Sequence, residues 1–183
     1  MTHRNFRTLI SALIAGVVLP VTGAAAKNTF STYGDVMQYA LPAGAGLLAF
    51  IKGDADGATQ LAASGAVTIG TTYALKYAVN ETRPNGGRYS FPSGHTSLAF
   101  TGAAFVHERY GWEWGLPAEL AAAAVAWSRV DARQHHWYDV LASVGIAHAS
   151  AFFLVDHKDS GVTLFPMVGG HKPSFGIVGS MKF

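Results

Sequence analysis

The chain has 183 residues, half of them hydrophobic, which is enough for one domain with a substantial core and too few for two. Charged residues make up only 13% and the net charge is +2, so the strongly basic face of a nucleic-acid binder is missing and no nucleic-acid partner is expected. There is no cysteine, so neither disulfides nor a lipidated N-terminal cysteine can hold the protein, and its fold must rest on packing.

The N-terminus reads as an export signal. His3, Arg4 and Arg7 precede an apolar run over residues 9–20, and Gly23, Ala24, Ala25 and Ala26 supply the small residues of a cleavage site. Residues 1–26 are therefore expected to be a signal peptide; the run is short for a span of about 20 apolar residues, which makes an uncleaved anchor the lesser alternative. Alanine-rich apolar blocks then alternate with Gly/Pro clusters, and five helices follow in order. The first covers residues 33–51, with Pro42 as a kink and "KGDADG" at its end. The second covers 56–79 and gives way to "NETRPNGGRYSFPSG", whose prolines and glycines forbid regular helix. The third starts near Gly94 and stops before "RYGWEWG". The fourth covers 117–129, with Pro117 in the favoured first-turn position, and the fifth begins around Arg133 or shortly after and continues to Val155. The fold class expected is all-α, a bundle of about five to six helices over residues 27–160. The tail, 161–183, has β-branched and aromatic residues around a Gly-Gly turn, the pattern of a short C-terminal β-hairpin.

The uncharged stretches 37–51, 58–75 and 140–155 are borderline for crossing a bilayer. Five spans from an exported N-terminus would put "KGDADG", "HERYGWEWG" and "DHKDSG" in the cytoplasm, each with more acid than Lys/Arg, against the positive-inside rule. That favours a compact exported domain in the periplasm. The competing arrangement, in contact with lipid, is an inner-membrane bundle with its active site on the periplasmic side. The sequence carries no signal of oligomeric state.

Three segments concentrate functional polar groups, "KYAVNETRP", "PSGH" and "SRVDARQHHWYD", each at a helix end. Lys76, Arg83 and Arg129 are fixed cations that repel one another unless an anion sits between them, and a tetrahedral oxyanion such as phosphate suits guanidinium forks. Ser93 and Gly94 offer a hydroxyl and helix N-terminal N–H groups to phosphate oxygens. His95 then stands beside the bound group, able to give a proton to a leaving oxygen. His135 and Asp139 are four apart, on one face if the segment is helical, so the carboxylate can hold one ring nitrogen's proton and free the other to attack. His136, three from Asp139, fits that partner too, and spacing does not choose between them. His148 reads as a core histidine and His107 as a helix-end surface residue.

Taken together, Lys76, six residues, Arg83-Pro84; Pro92-Ser93-Gly94-His95; and Ser128-Arg129, five residues, His135, three residues, Asp139 resemble the three-part signature of the type 2 phosphatidic acid phosphatase and vanadium haloperoxidase superfamily. The resemblance implies a helical bundle and a phosphomonoesterase acting through a phosphohistidine. It assigns His135 as nucleophile, Asp139 as its orienting partner and His95 as general acid. Lys76, Arg83, Ser93, Gly94 and Arg129 hold the phosphate. No metal or other cofactor is implied; the substrate is a phosphatidate-like or isoprenoid lipid phosphate or a small phosphomonoester, and vanadate is expected to inhibit. The same superfamily supplies the alternative, a vanadate-dependent haloperoxidase, which the shortness of this chain disfavours. A serine hydrolase is set aside because Ser93 lacks the preceding glycine of the nucleophile elbow, and a zincin because "HERYG" has no second histidine.

Overall fold

The computed structural model describes residues 24–158 and, as backbone, the strands at 162–168 and 175–181; side chains are described for residues 29–158. The expected signal peptide lies outside the described residues, apart from Ala24, Ala25 and Ala26, whose backbone opens the first helix. Among the described residues there are five helices, α1 (Ala24–Ile51), α2 (Ala55–Val79), α3 (Gly94–Tyr110), α4 (Trp112–Asp131) and α5 (Trp137–Leu154). Two strands follow, β1 (Val162–Val168) and β2 (Phe175–Met181), paired antiparallel from Val162↔Met181 to Val168↔Phe175. The all-α class holds, with the hairpin as an appendage.

Local chemistry sets the helix ends. Asp54 caps α2 by accepting from the Gly57 N–H at 3.0 Å, and Asn80 closes it in the left-handed conformation at φ 46°. Gly111, at φ 77°, separates α3 from α4, a conformation that glycine adopts without steric cost. Because the chain reverses at this one residue, α4 begins at Trp112 rather than at Pro117. The proline therefore lies inside the helix and forgoes the bond to the residue-113 carbonyl. Helix α5 starts four residues after Arg133. Arg133 has φ 55°, which breaks the helix, and a turn in which the N–H groups of Gln134 and His135 both reach the Arg129 carbonyl carries the chain to Trp137.

Helix α3 is the hub, in contact with the other four helices and buried over most of its circumference. One core cluster joins Ala99, Phe100 and Ala103 to Ala122, Val125, Val140 and Ala147; the other joins Ala45 and Ala49 to Phe105, Val106, Ala151 and Val155. With so many alanines the helices approach closely. At Gly102 a Cβ would fall 2.6 Å from the Leu41 carbonyl carbon, so α1 crosses α3 at backbone contact.

Charge is sorted to the two ends of the bundle. At the end distal to the α3 N-terminus, Arg109 makes a two-pronged pair with Asp54 (Nε–Oδ2 2.9 Å, Nη2–Oδ1 2.6 Å), Tyr110 donates to Asp54 Oδ2 at 2.9 Å, and Arg109 Nη1 donates to the Asp156 carbonyl at 2.8 Å. Large apolar side chains are exposed on α1, α2, α4 and α5, with Phe50 at 82%, Phe152 at 70% and Trp112 at 68%, these three near the Asp54–Arg109 end. Among the described residues one helix, Trp137–Leu154, is long and apolar enough to cross a membrane by length and composition.

The Arg109 guanidinium holds the Asp54 carboxyl well below the usual carboxylate range. A depressed pKa contributes stability that is complete above the unfolded value, about 3.9, and is lost as pH falls through the folded one. Arg109→Met, which leaves a buried carboxylate unpaired, is expected to lower unfolding free energy by about 3–5 kcal/mol in denaturant titrations near neutrality. Its stability should fall less steeply than the wild type's when pH drops below about 4.

Candidate active site

The four helix ends opposite the Asp54–Arg109 pair surround a cavity of about 320 Å³ lined by Tyr73, Lys76, Tyr77, Arg83, Arg88, Tyr89, Gly94, His95 and His135. Five of the sequence-derived site residues thus share one wall. The other three, Ser93, Arg129 and Asp139, are buried behind it at 0%, 3% and 0% exposure.

Lys76, in the last turn of α2, donates to the carbonyls of Tyr89 (2.8 Å) and Pro92 (2.6 Å), which leaves the third of its N–H donors for the cavity. Burial, followed by the nearby Arg83, pulls its ammonium down to about 8. Arg83 is fixed by the Arg88 carbonyl and by Gln134 Oε1 at 2.7 Å, a contact that ties the α2–α3 loop to the α4–α5 turn. Ser93 is the N-cap of α3: its Oγ accepts from the Thr96 N–H at 3.4 Å and the Thr96 hydroxyl at 3.0 Å, and its own N–H donates to the Asp139 carbonyl. The anion-facing donors at this terminus are therefore the N–H groups of Gly94 and His95, which have no acceptor within the helix.

His135 and Asp139 do not share a helical face, because α5 begins after His135. Asp139 is instead the third residue of α5 and folds back over its N-terminus, in a capping box with His136. Its Oδ2 accepts from Ser90 Oγ at 2.5 Å and His136 N at 2.8 Å, and stands 3.4 Å from Nδ1 of both His135 and His136. His135 is 2% exposed and His136 32%, and only His135 lines the cavity. Burial, then the charges of Lys76 and Arg83, hold the His135 imidazole below its ordinary range, with Asp139 opposing. A neutral ring with Nδ1 toward a carboxylate has Nε2 unprotonated and available as a nucleophile.

Two side chains the motif reading missed complete the surroundings. Asp35 of α1 places Oδ1 3.2 Å from His95 Nε2 and 2.6 Å from Arg129 Nη1, so a carboxylate occupies the gap between the imidazole and the guanidinium. Arg129 Nη2 also donates to the Ser31 carbonyl, and Gly34 permits this approach: a Cβ there would lie 2.4 Å from Nη2. Ser31, Gly34, Asp35 and Gln38 follow helical spacing, a polar stripe that signals a buried contact but not its partner. Ser90 is the second missed residue, fully buried on Asp139.

A profile described as the PAP2 superfamily matches residues 85–158, which include the His95, Arg129, His135 and Asp139 segments and begin after Lys76 and Arg83. The sequence is 34% identical over 148 residues, 74% of this chain and 74% of the relative, to a lipid A 4′-phosphatase of Helicobacter pylori. The chain belongs to the PAP2 superfamily. It is a phosphatase. The crystal structure of Aquifex aeolicus LpxE shares the fold at a TM-score of 0.63 and 19% identity, over 72% of this chain and 86% of that one. In this PAP2 bundle, burial followed by the Arg129 charge lowers the His95 pKa, while Asp35 opposes that shift.

Asp35→Asn removes a negative charge from beside His95 and Arg129 and keeps the shape of the side chain. Inorganic phosphate should then inhibit about two- to fivefold more tightly, the range for a half-exposed ion pair, in competition assays at fixed pH. An unchanged or weaker inhibition constant would mean that Asp35 does not compete with the anion.

Proposed function

We propose that the protein hydrolyses a phosphomonoester carried on a lipid, with His135 as nucleophile, Asp139 as its orienting carboxylate and His95 as general acid, through a phosphohistidine. The observation that carries this reading is the neutral, buried His135 on the cavity wall, backed by Asp139 and faced by Lys76, Arg83 and His95. Lys76, Arg83 and the N-terminal N–H groups at Gly94 hold the phosphate oxygens. Ser93 shapes that terminus, and Arg129 joins once Asp35 yields its Nη1 contact. In the first step His135 Nε2 bonds to phosphorus, the P–O ester bond breaks, and protonated His95 gives its proton to the leaving alkoxide. In the second, neutral His95 takes a proton from water, the hydroxide attacks phosphorus, and the P–N bond breaks to release phosphate and His135. Donors placed in advance around the phosphoryl oxygens offset the transition-state charge.

The lipid part of the reading rests on the bundle surface. Exposed Leu47, Leu120 and Leu141, continued by Phe50, Phe152 and Phe153 near the Asp54–Arg109 end, form an apolar exterior, which suits insertion among acyl chains better than solution. The cavity then opens at the level of lipid headgroups, with Arg88, Tyr77 and Tyr89 at its mouth. The lipid A 4′-phosphatase relative makes a phosphorylated glycolipid the first substrate to try, ahead of phosphatidate and isoprenoid phosphates. Export, with the site on the periplasmic side, is part of this proposal.

Two predictions test it. In EDTA, with detergent, the protein should release inorganic phosphate from a lipid A-type phosphate faster than from a small chromogenic ester. His135→Ala should abolish release, vanadate should inhibit it, and absence of release from every phosphate tried would overturn the reading. The second prediction concerns pH. The acid limb of kcat/KM belongs to protonation of His135 and the basic limb to deprotonation of His95, and both imidazoles are held below their ordinary value of about 6.5. The optimum should therefore lie on the acid side of neutrality; one above about 7 would contradict this assignment.

A further inference from the structure

Outside the phosphate cavity, three ligand-type side chains from three helices meet. His107 lies in the last turn of α3, Glu119 one third along α4, and His148 toward the end of α5. Glu119 Oε1 stands 3.4 Å from His107 Nδ1 and 3.1 Å from His148 Nε2, and the three ligand atoms all lie within 4.8 Å of one another.

The hydrogen bonding fixes one tautomer. His148 Nδ1 lies 3.0 Å from the Val144 carbonyl, which can only accept, so Nδ1 carries a proton. In the neutral ring Nε2 then presents a lone pair toward a carboxylate oxygen, and something positive must lie between them. Protons on His148 Nε2 and His107 Nδ1 would satisfy Glu119 Oε1 through two hydrogen bonds, because a carboxylate oxygen has two lone pairs. A cation satisfies all three at once. The backbone carbonyl on the distal ring nitrogen is also the usual outer partner of a metal-bound histidine, because it sets tautomer and ring orientation.

The cluster is held in advance. Gly115 brings α4 against the end of α3, where a Cβ would lie 2.6 Å from His107 Cα, and Glu119 is one turn further on the same face. The Trp112 ring packs on His107 at 4.5 Å between centroids, and Phe100 on His148 at 5.8 Å. Side-chain exposures of 23%, 17% and 37% leave one side open to water, the place for a fourth ligand. In tetrahedral zinc, with bonds of about 2.0–2.1 Å, neighbouring donors sit about 3.4 Å apart; both distances to Glu119 already match, and rotation of the two rings closes the rest.

We propose that His107, Glu119 and His148 form a site for a divalent transition-metal ion of the zinc type, with water as fourth ligand, which clips α3, α4 and α5 together. The site is distinct from the phosphate cavity, since His107 lies thirteen residues of α3, about 20 Å, from Gly94. The proposal stands independently of the hydrolytic mechanism, because no step of that mechanism uses these residues.

The test uses the full chain, stripped with chelator and titrated with Co²⁺ and then Zn²⁺. One equivalent should bind at micromolar or tighter affinity, give the visible bands of tetrahedral cobalt, be displaced by zinc, and raise the thermal midpoint. Glu119→Gln, His107→Ala and His148→Ala should each weaken binding by at least about a hundredfold, since even outer partners of such ligands cost 10- to 100-fold. His135→Ala should bind metal as the wild type does. If a variant fails to fold, X-ray absorption on the zinc-loaded wild type decides: two imidazoles and oxygen donors at about 2.0–2.1 Å are required. No binding tighter than millimolar, binding unaltered in Glu119→Gln and His148→Ala, or a shell without two imidazoles would each overturn the proposal. The first result would leave a protonated His148 paired with Glu119.

Discussion

Lys76, Arg83 and Arg129 bring fixed positive charge to one end of the bundle, and the neighbouring structure holds Lys76 and Arg83 in place through neutral acceptors and Arg129 in part through a carboxylate. Lys76 is tethered by two carbonyls, Arg83 by a carbonyl and an amide oxygen, and Arg129 by Asp35 and Ser31. Neutral acceptors orient a cation but leave most of its field intact, whereas a carboxylate neutralises it. The two carboxylates nearest the cavity stand at its margins, Asp139 behind His135 and Asp35 between His95 and Arg129, so Lys76 and Arg83 leave its centre electropositive. Much else follows from that field. It helps to keep His135 neutral, and it favours an anion over water in the cavity.

The opposite end uses the same residue types to a different purpose. Arg109 and Asp54 meet through two hydrogen bonds, Tyr110 and the Asp156 carbonyl take up further capacity, and the pair is almost fully buried. At the cavity end, by contrast, His135 Nδ1 and Asp139 Oδ1 are buried without a well-formed partner. Unsatisfied buried polar atoms are costly, and a protein retains them where geometry must adjust during reaction. The contrast between a saturated and an unsaturated ionic cluster on one scaffold separates a joint from a working site.

Helix α3 links the two ends. Its N-terminus lies in the cavity wall and its C-terminus holds Arg109, with alanine, glycine, serine and threonine at eight of its 17 positions, all between Gly94 and Ala104. Small side chains let α1, α4 and α5 approach closely enough for Asp35, Arg129 and Asp139 to reach the same terminus. They bury little apolar area per residue, so the outer helices keep their large apolar groups on the outside, where lipid can cover them.

By itself the sequence determined the helical class, the element order, and the types and order of the chemical groups, because those follow from periodicity, glycine and proline placement and motif spacing. It also carried the hairpin in the pattern of its tail. Helix starts were less legible: α4 begins at Trp112 and α5 at Trp137 because of positive φ angles at Gly111 and Arg133, which the surrounding packing imposes. The relation of His135 to Asp139 changed accordingly, from two residues on a helical face to a loop imidazole over a capped helix start. Asp35, Ser90 and the meeting of His107, Glu119 and His148 depend on residues far apart in the chain. Local pattern marks each as polar in an apolar setting, but only the crossing of helices decides what a polar group faces.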